Sequence, residues 1–156
     1  MQTKRSIAHA AHDQTKRRRA KQALKYPPVV FDGRQALAVT QGFADYVEKN
    51  GRVVFACAVM PDHAHLVVAR CDRRVETIAE QLKARATSFL NKQRLHPFAD
   101  RARPDGRAPT PWARGCWSVF LSSDESIARA IQYVEQNPVK AGYKSQRYAW
   151  VKPFKG

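Results

Sequence analysis

Acidic residues are scarce in this chain. Only 13 Asp and Glu stand against 28 Lys and Arg, giving a formal net charge of +15 and a pI near 10.3. That imbalance implies a polyanionic partner, nucleic acid first and an acidic membrane second. Long apolar runs are also missing. No stretch approaches the roughly 20 residues that a membrane-spanning helix needs, so a membrane span is not expected. The first residues are polar and basic, so a signal peptide is not expected either. Cysteine is sparse: Cys57, Cys71 and Cys116 are an odd number and form no Cys-x-x-Cys pair. A disulfide framework and a zinc knuckle are therefore disfavoured, and reduced thiols in the cytoplasm are the simpler expectation. A GxxxxGK[ST] run is absent, which argues against chemistry driven by a nucleoside triphosphate.

What remains is ordinary for a globular protein. The 156 residues suit a single domain able to bury a real core, and hydrophobic residues make up 44%. Residues 1–25 carry eight Lys and Arg against the single Asp13 and read as a basic arm, helical around Gln14 to Leu24. Such an arm follows phosphates without reading sequence. The remainder, 26–156, reads as one domain. Pro27-Pro28 introduces a short extended piece, Val29 to Phe31, and Asp32-Gly33 reads as a turn. Ala36, Val39, Phe43 and Val47 recur at helical spacing, so Gln35 to Lys49 is predicted as an amphipathic helix ended by Asn50-Gly51. Arg52 to Met60 is apolar and β-branched, a buried strand, and a tight turn at Pro61-Asp62 leads into an antiparallel strand, Ala64 to Arg70. A helix over Val75 to Gln93 follows, with Val75, Ile78, Leu82, Ala86 and Phe89 as its core stripe. The Pro- and Arg-rich stretch from His96 to Pro111 reads as a loop or mobile lid. Trp112 to Leu121 is predicted as a short aromatic strand, a further helix comes next, and Tyr148 to Phe154 is an edge strand or a packed strap. The order helix, strand, strand, helix, strand, helix gives an α+β fold, an antiparallel sheet covered by helices in the manner of a ferredoxin-like or RRM-like sandwich.

Two segments carry chemistry. Met60 to Val68 reads MPDHAHLVV. Alternation along a strand puts His63 and His65 on one face, roughly 7 Å apart at their backbones. Two neutral imidazoles so placed can close on one metal ion, although a His-x-His pair alone is also compatible with two paired surface histidines. The second segment is IARAIQYVEQNPV, Ile127 to Val139. Ser122 with Glu125 fits a capping box, and Ile127, Ile131 and Val134 form a buried stripe. Tyr133 and Asn137, four apart, stack on one flank of this helix. Pro138 disfavours helical geometry at Asn137, so the helix is expected to end there. By spacing alone, the pair also fits a surface tyrosine above a cap asparagine.

The segments MPDHAHLVV and YVEQNPVKAG together resemble the HUH-type single-tyrosine transposases, which include the insertion-sequence and REP-associated tyrosine transposases. The resemblance extends from about Lys25 to Trp150. It implies an HUH endonuclease domain of the ferredoxin-like type, with a His-hydrophobic-His strand that binds metal and a later helix that carries the attacking tyrosine. By matching motif positions it assigns the metal pair to His63 and His65, the nucleophile to Tyr133 and a third metal ligand to Asn137. The implied reaction is metal-dependent cleavage and rejoining of single-stranded DNA through a 5′-phosphotyrosine link, with Mg²⁺ or Mn²⁺ as cofactor. The implied partner is single-stranded or hairpin DNA. The implied setting is the cytoplasm, at the nucleoid, as a monomer or a homodimer. One departure stands out. Members of this family carry an additional first strand, often aromatic, and nothing from Met1 to Leu24 reads as one. Either Ser6 to Ala11 or Val29 to Phe31 takes its place, or the chain is a shortened copy with an open sheet edge.

Around this core, Lys83, Arg85, Lys140 and Lys144 are candidate phosphate contacts. Trp112, Arg114 and Trp117 interleave a cation with rings on which unpaired bases stack. Asp62 and Glu135 flank the motif residues as candidate supports. The competing reading is a nucleic-acid binder without chemistry, either a decayed transposase or an RRM-like module, but the aromatic strands of an RRM are not found. A histidine-triad hydrolase fits poorly because Val67 stands where a third alternating histidine belongs.

Overall fold

A computed structural model describes residues 26–156, together with Arg19 and Gln22. Arg19 and Gln22 are helical and exposed; the rest of the basic arm, with the other residues of the expected helix from Gln14 to Leu24 and the stand-in strand Ser6 to Ala11, lies outside the described residues. Among the described residues the order is α1 (Gly33–Lys49), β1 (Val54–Val59), β2 (Ala64–Val68), α2 (Val75–Lys92), a 3₁₀ turn (Ala99–Arg101) and α3 (Asp124–Lys140). The class is α+β, and no helix among these residues is long and apolar enough to cross a membrane.

Local chemistry sets each start and stop. Asp32 is not a turn residue but the N-cap of α1. Its carboxylate accepts the Gln35 N–H, and the Gln35 side chain accepts the Asp32 N–H, which completes a capping box. The cap of α3 falls one residue later than the Ser122–Glu125 pattern suggested. Ser123 is extended and exchanges the same pair of bonds with Ser126, because a hydroxyl at that position reciprocates as a carboxylate does. Nor does α3 stop at Asn137. It runs through Pro138 to Lys140. Proline removes one helical donor, and the near-complete burial of the Pro138 side chain offsets that loss.

The sheet among the described residues has two strands, β1 and β2, paired antiparallel. Val54 pairs with Val68 but Ala56 pairs with Val67, so Phe55 is the extra residue of a β-bulge. The bulge resets the alternation. Val54, Cys57 and Val59 face a core shared with α1 and α2, whereas Phe55, Ala56 and Ala58 face α3. The larger core contains Val39, Phe43 and Val47 from α1 and Ile78, Leu82, Ala86 and Leu90 from α2. The fourth anchor of α2 is thus Leu90 and not Phe89, while Val75 is exposed, because the buried stripe drifts around the helix at four-residue steps. The two helices meet at Gly42. A Cβ there would lie 2.6 Å from the Ala86 Cα, so only glycine permits this approach.

Trp112 to Leu121 does not form the expected third strand. Its backbone turns at Gly115 (φ +73), and Trp112 is drawn into the α1–α2 side while Leu121 packs on the α3 side. A segment that crosses from one layer to the other in nine residues cannot also lie in register beside β2. The tail behaves as a strap along the free edge of β1. The Gln146 amide donates to the Val59 carbonyl and accepts the Val59 N–H, both at 2.8 Å, which imitates a strand partner with one side chain. Farther along, the Lys152 N–H donates to the Val54 carbonyl, and Phe154 packs edge-on against Phe55. Val29 to Phe31 is not a strand either. Phe31 is buried, and its N–H donates to the Pro61 carbonyl beside the histidine turn.

Candidate active site

The turn at Pro61-Asp62 delivers His63, and β2 begins one residue later, so His63 and His65 share the α3 face of the sheet while Ala64 and Leu66 pack into the larger core. The two imidazoles stand edge to face with centroids 4.8 Å apart. Tyr133 closes the group from above: its ring meets that of His65 edge to face at 5.7 Å. Val134, the next residue, is buried against Ala56, Ala58 and Val67, which fixes the rotation of α3 and points Tyr133 toward the histidines. Tyr133 itself is 36% exposed, so its ring bridges the pair and solvent.

Asp62 has a defined place. Its Oδ1 lies 2.6 Å from His63 Nδ1. An ionised carboxylate only accepts, so this contact places a proton on Nδ1, and in the neutral imidazole Nε2 then keeps its lone pair. A carboxylate behind an imidazole is the arrangement that orients metal-binding histidines. The Nε2 atoms of His63 and His65 are both shielded from solvent. Among the described residues no set of three or more His, Cys, Asp and Glu side chains converges. Two imidazole nitrogens side by side could hold a metal ion whose remaining positions oxygen ligands would fill. Asn137, half-buried, lies one turn beyond Tyr133 on the same unbroken helix, about 6 Å along its axis. Glu135 belongs elsewhere, lining a groove of about 390 Å³ between β1 and the tail with Ser145, Arg147 and Lys152.

The candidate nucleic-acid residues separate into two groups. Three are built into the fold. The Lys83 ammonium bonds the carbonyls of Ala113 and Gly115 and the carboxylate of Glu80. The Arg85 guanidinium bonds Asp45 and lies over Phe89, and that contact holds the Asp45 carboxyl below its usual range. Trp112 packs on Phe31 and Phe43, and its indole N–H donates to Thr87 at 2.9 Å. The others, Arg114, Trp117, Lys140 and Lys144, are exposed. Sequence reasoning passed over two exposed groups, Arg70 and Phe120, which stack on each other with the guanidinium carbon 5.6 Å from the ring centroid. Phe120 sits in an apolar run, and its hydrophobicity suggested burial, so no signal in the sequence marked it as exposed.

The chain is similar to known proteins in sequence. A protein of Haemophilus influenzae, provisionally named a REP-associated tyrosine transposase, is 30% identical over 90 residues, which are 56% of this chain and 50% of that protein. The matched stretch thus spans about half the length of that relative. No solved structure matches. The family described as "Transposase IS200 like" matches residues 22–137, a span that includes both histidines, Tyr133 and Asn137. With that match over most of its length, the chain belongs to the IS200-like transposase family.

Proposed function

We propose that this protein is a DNA strand transferase, cutting and rejoining single-stranded DNA through a covalent link to Tyr133. The observation that carries this reading is the packing of the Tyr133 ring on His65, with His63 4.8 Å beyond. A phenol and two imidazoles on opposing elements have little reason to meet for stability, since aliphatic side chains would fill the same space.

His63 and His65 fit a divalent cation: two adjacent Nε2 donors, one of them oriented by Asp62, with Asn137 as an amide oxygen donor one turn from Tyr133. The chemistry that a bound Mg²⁺ or Mn²⁺ supplies is polarisation of the scissile phosphate and a template for it. Tyr133 attacks the phosphorus in line, forming an Oη–P bond as the P–O3′ bond breaks. The phenolic proton passes to solvent, and the leaving oxygen takes up a proton as a 3′-hydroxyl. The bond energy is retained in the 5′-phosphotyrosine, so a 3′-hydroxyl of another strand can reverse the step without a nucleoside triphosphate. Arg114, Lys140 and Lys144, all exposed, are the proposed phosphate contacts, and the net charge of +15 favours a strongly salt-dependent association. The partner is single-stranded or hairpin DNA.

The test is an adduct assay. End-labelled hairpin DNA from the flanks of the gene is incubated with the protein and Mn²⁺ or Mg²⁺, then run on a denaturing gel. A covalent band that disappears with chelator and in Tyr133→Phe is expected. Salt-sensitive binding without any band, under either metal, overturns the transferase reading in favour of a DNA binder without chemistry.

A further inference from the structure

The segment from Trp112 to Leu121 is pinned at both ends and presents rings between them. Trp112 is held in the larger core, the Lys83 ammonium clamps the carbonyls of Ala113 and Gly115, and Leu121 packs with Ile127, Ile131 and Val134 of the tyrosine helix. Between these anchors Trp117 is 67% exposed and Phe120 75% exposed. Large aromatics exposed on a segment anchored at both ends offer flat faces on which unpaired bases can stack. Their surroundings are cationic. Arg70 covers part of Phe120, and residues 96–121 carry four arginines against two aspartates. Arg70 also lies five residues beyond His65 along the same stretch of chain, at most about 17 Å away.

We propose that Trp117 and Phe120, backed by Arg70 and Arg114, form a base-stacking platform for single-stranded DNA. The proposal rests on the reading of the chain as acting on single-stranded DNA and names where the unpaired bases sit. Every base has a flat π-face, so stacking tolerates sequence, and a guanidinium beside the ring adds attraction for the phosphate. A protein partner of matching chemistry would have to be acidic to suit Arg70 and Arg114. In duplex DNA the bases are already stacked and unavailable. The platform therefore discriminates by strandedness, which the exposed lysines do not.

The experiment measures affinity by fluorescence anisotropy for a 20-nucleotide dT strand and for a duplex of equal length. It uses the full chain in the Tyr133→Phe background, so that binding is read without cleavage. Trp117→Ala and Phe120→Ala are each expected to weaken single-strand binding about 5- to 100-fold. Duplex binding and thermal midpoint should be unchanged, and Phe120→Trp should restore affinity. Equal single-strand affinity in both alanine variants overturns the platform, as does an equal loss on duplex. A rU strand bound tenfold more tightly than dT overturns DNA as the occupant. Loss of self-association in Phe120→Ala with no change in affinity makes the patch an interface between copies. The adduct assay with Tyr133 intact separates this proposal from the one beneath it. No adduct, with ring-dependent single-strand binding, sinks cleavage and leaves the platform standing. Adduct formation with ring-independent binding does the reverse.

Discussion

The two faces of the β1–β2 sheet differ in what fills them. One face packs against α1 and α2 through Val39, Phe43, Val54, Leu82 and Leu90, a continuous apolar core closed by the glycine contact at Gly42. The other faces α3 with small side chains, Ala56 and Ala58, and leaves room beside them for His63, His65 and Tyr133. The first face holds the chain folded. The second is a shallow layer whose polar rings are carried by the rigidity of the first. Alternation along β1 serves both faces, and the bulge at Phe55 brings Val54 into phase with Cys57 and Val59 on the first.

Substitutions on the two faces should therefore dissociate. The largest expected effect is Tyr133→Phe, which is expected to abolish the covalent DNA band and leave the thermal midpoint within about 2 °C of the parent, since a hydroxyl on a part-exposed ring contributes little to packing. Leu90→Ala is the converse. It opens a cavity in a fully buried site and should cost about 2–5 kcal/mol by urea unfolding, while the folded fraction still forms adduct. If Leu90→Ala eliminates adduct at temperatures where the protein is folded, the separation of the faces is wrong. Gly42→Ala should cost about 1–3 kcal/mol, because α1 must move away from the Ala86 backbone. A neutral result there means that the helix contact is looser than the 2.6 Å approach implies.

Finer probes stay within one face. Asp62→Asn should weaken Mn²⁺ binding about 10- to 100-fold by titration calorimetry, with little change in unfolding midpoint. Unaltered affinity detaches Asp62 from the function of His63. The smallest expected effect is a pH dependence on the α1–α2 side. His96 is buried, accepts the Phe98 N–H at Nδ1, and burial holds its pKa below 6.5. The unfolded chain then binds the proton more readily, so stability falls as pH drops through about 6.5 and levels off below the folded-state value. The urea midpoint should be lower at pH 5.5 than at pH 7.5, and the difference should shrink in His96→Gln. An undiminished difference assigns the titration to other groups.

Much of this was readable in residue patterns because it is local. Apolar spacing in 33–49 and 75–92 reports helices, since each turn repeats its face, and the shortness of Pro61-Asp62 forces an antiparallel pair. The His-x-His and Tyr-x-x-x-Asn spacings placed each pair on one side of its own element for the same reason. Errors arose where a distant contact decided the outcome. Trp112 to Leu121 has the composition of a strand, but its ends are claimed by two different layers. Pro138 carries a helix-ending signal, but its ring is fully buried and the helix runs on to Lys140. Lys83 and Arg85 looked like free cations until the Ala113 and Gly115 carbonyls and the Asp45 carboxylate occupied them.

The sequence by itself determined the class of the fold, the charge that favours a polyanion, and the His-x-His and Tyr-x-x-x-Asn spacings. Each of these depends on composition or on spacing within one element. Only the tertiary structure brought His65 and Tyr133 to 5.7 Å across 68 positions of chain, turned Gln146 into a surrogate strand on β1, and left Phe120 in solvent while burying Leu121 beside it. Those outcomes depend on how α3 and the tail pack over the sheet, and packing between elements distant in sequence is fixed by the whole fold at once and not by any one segment.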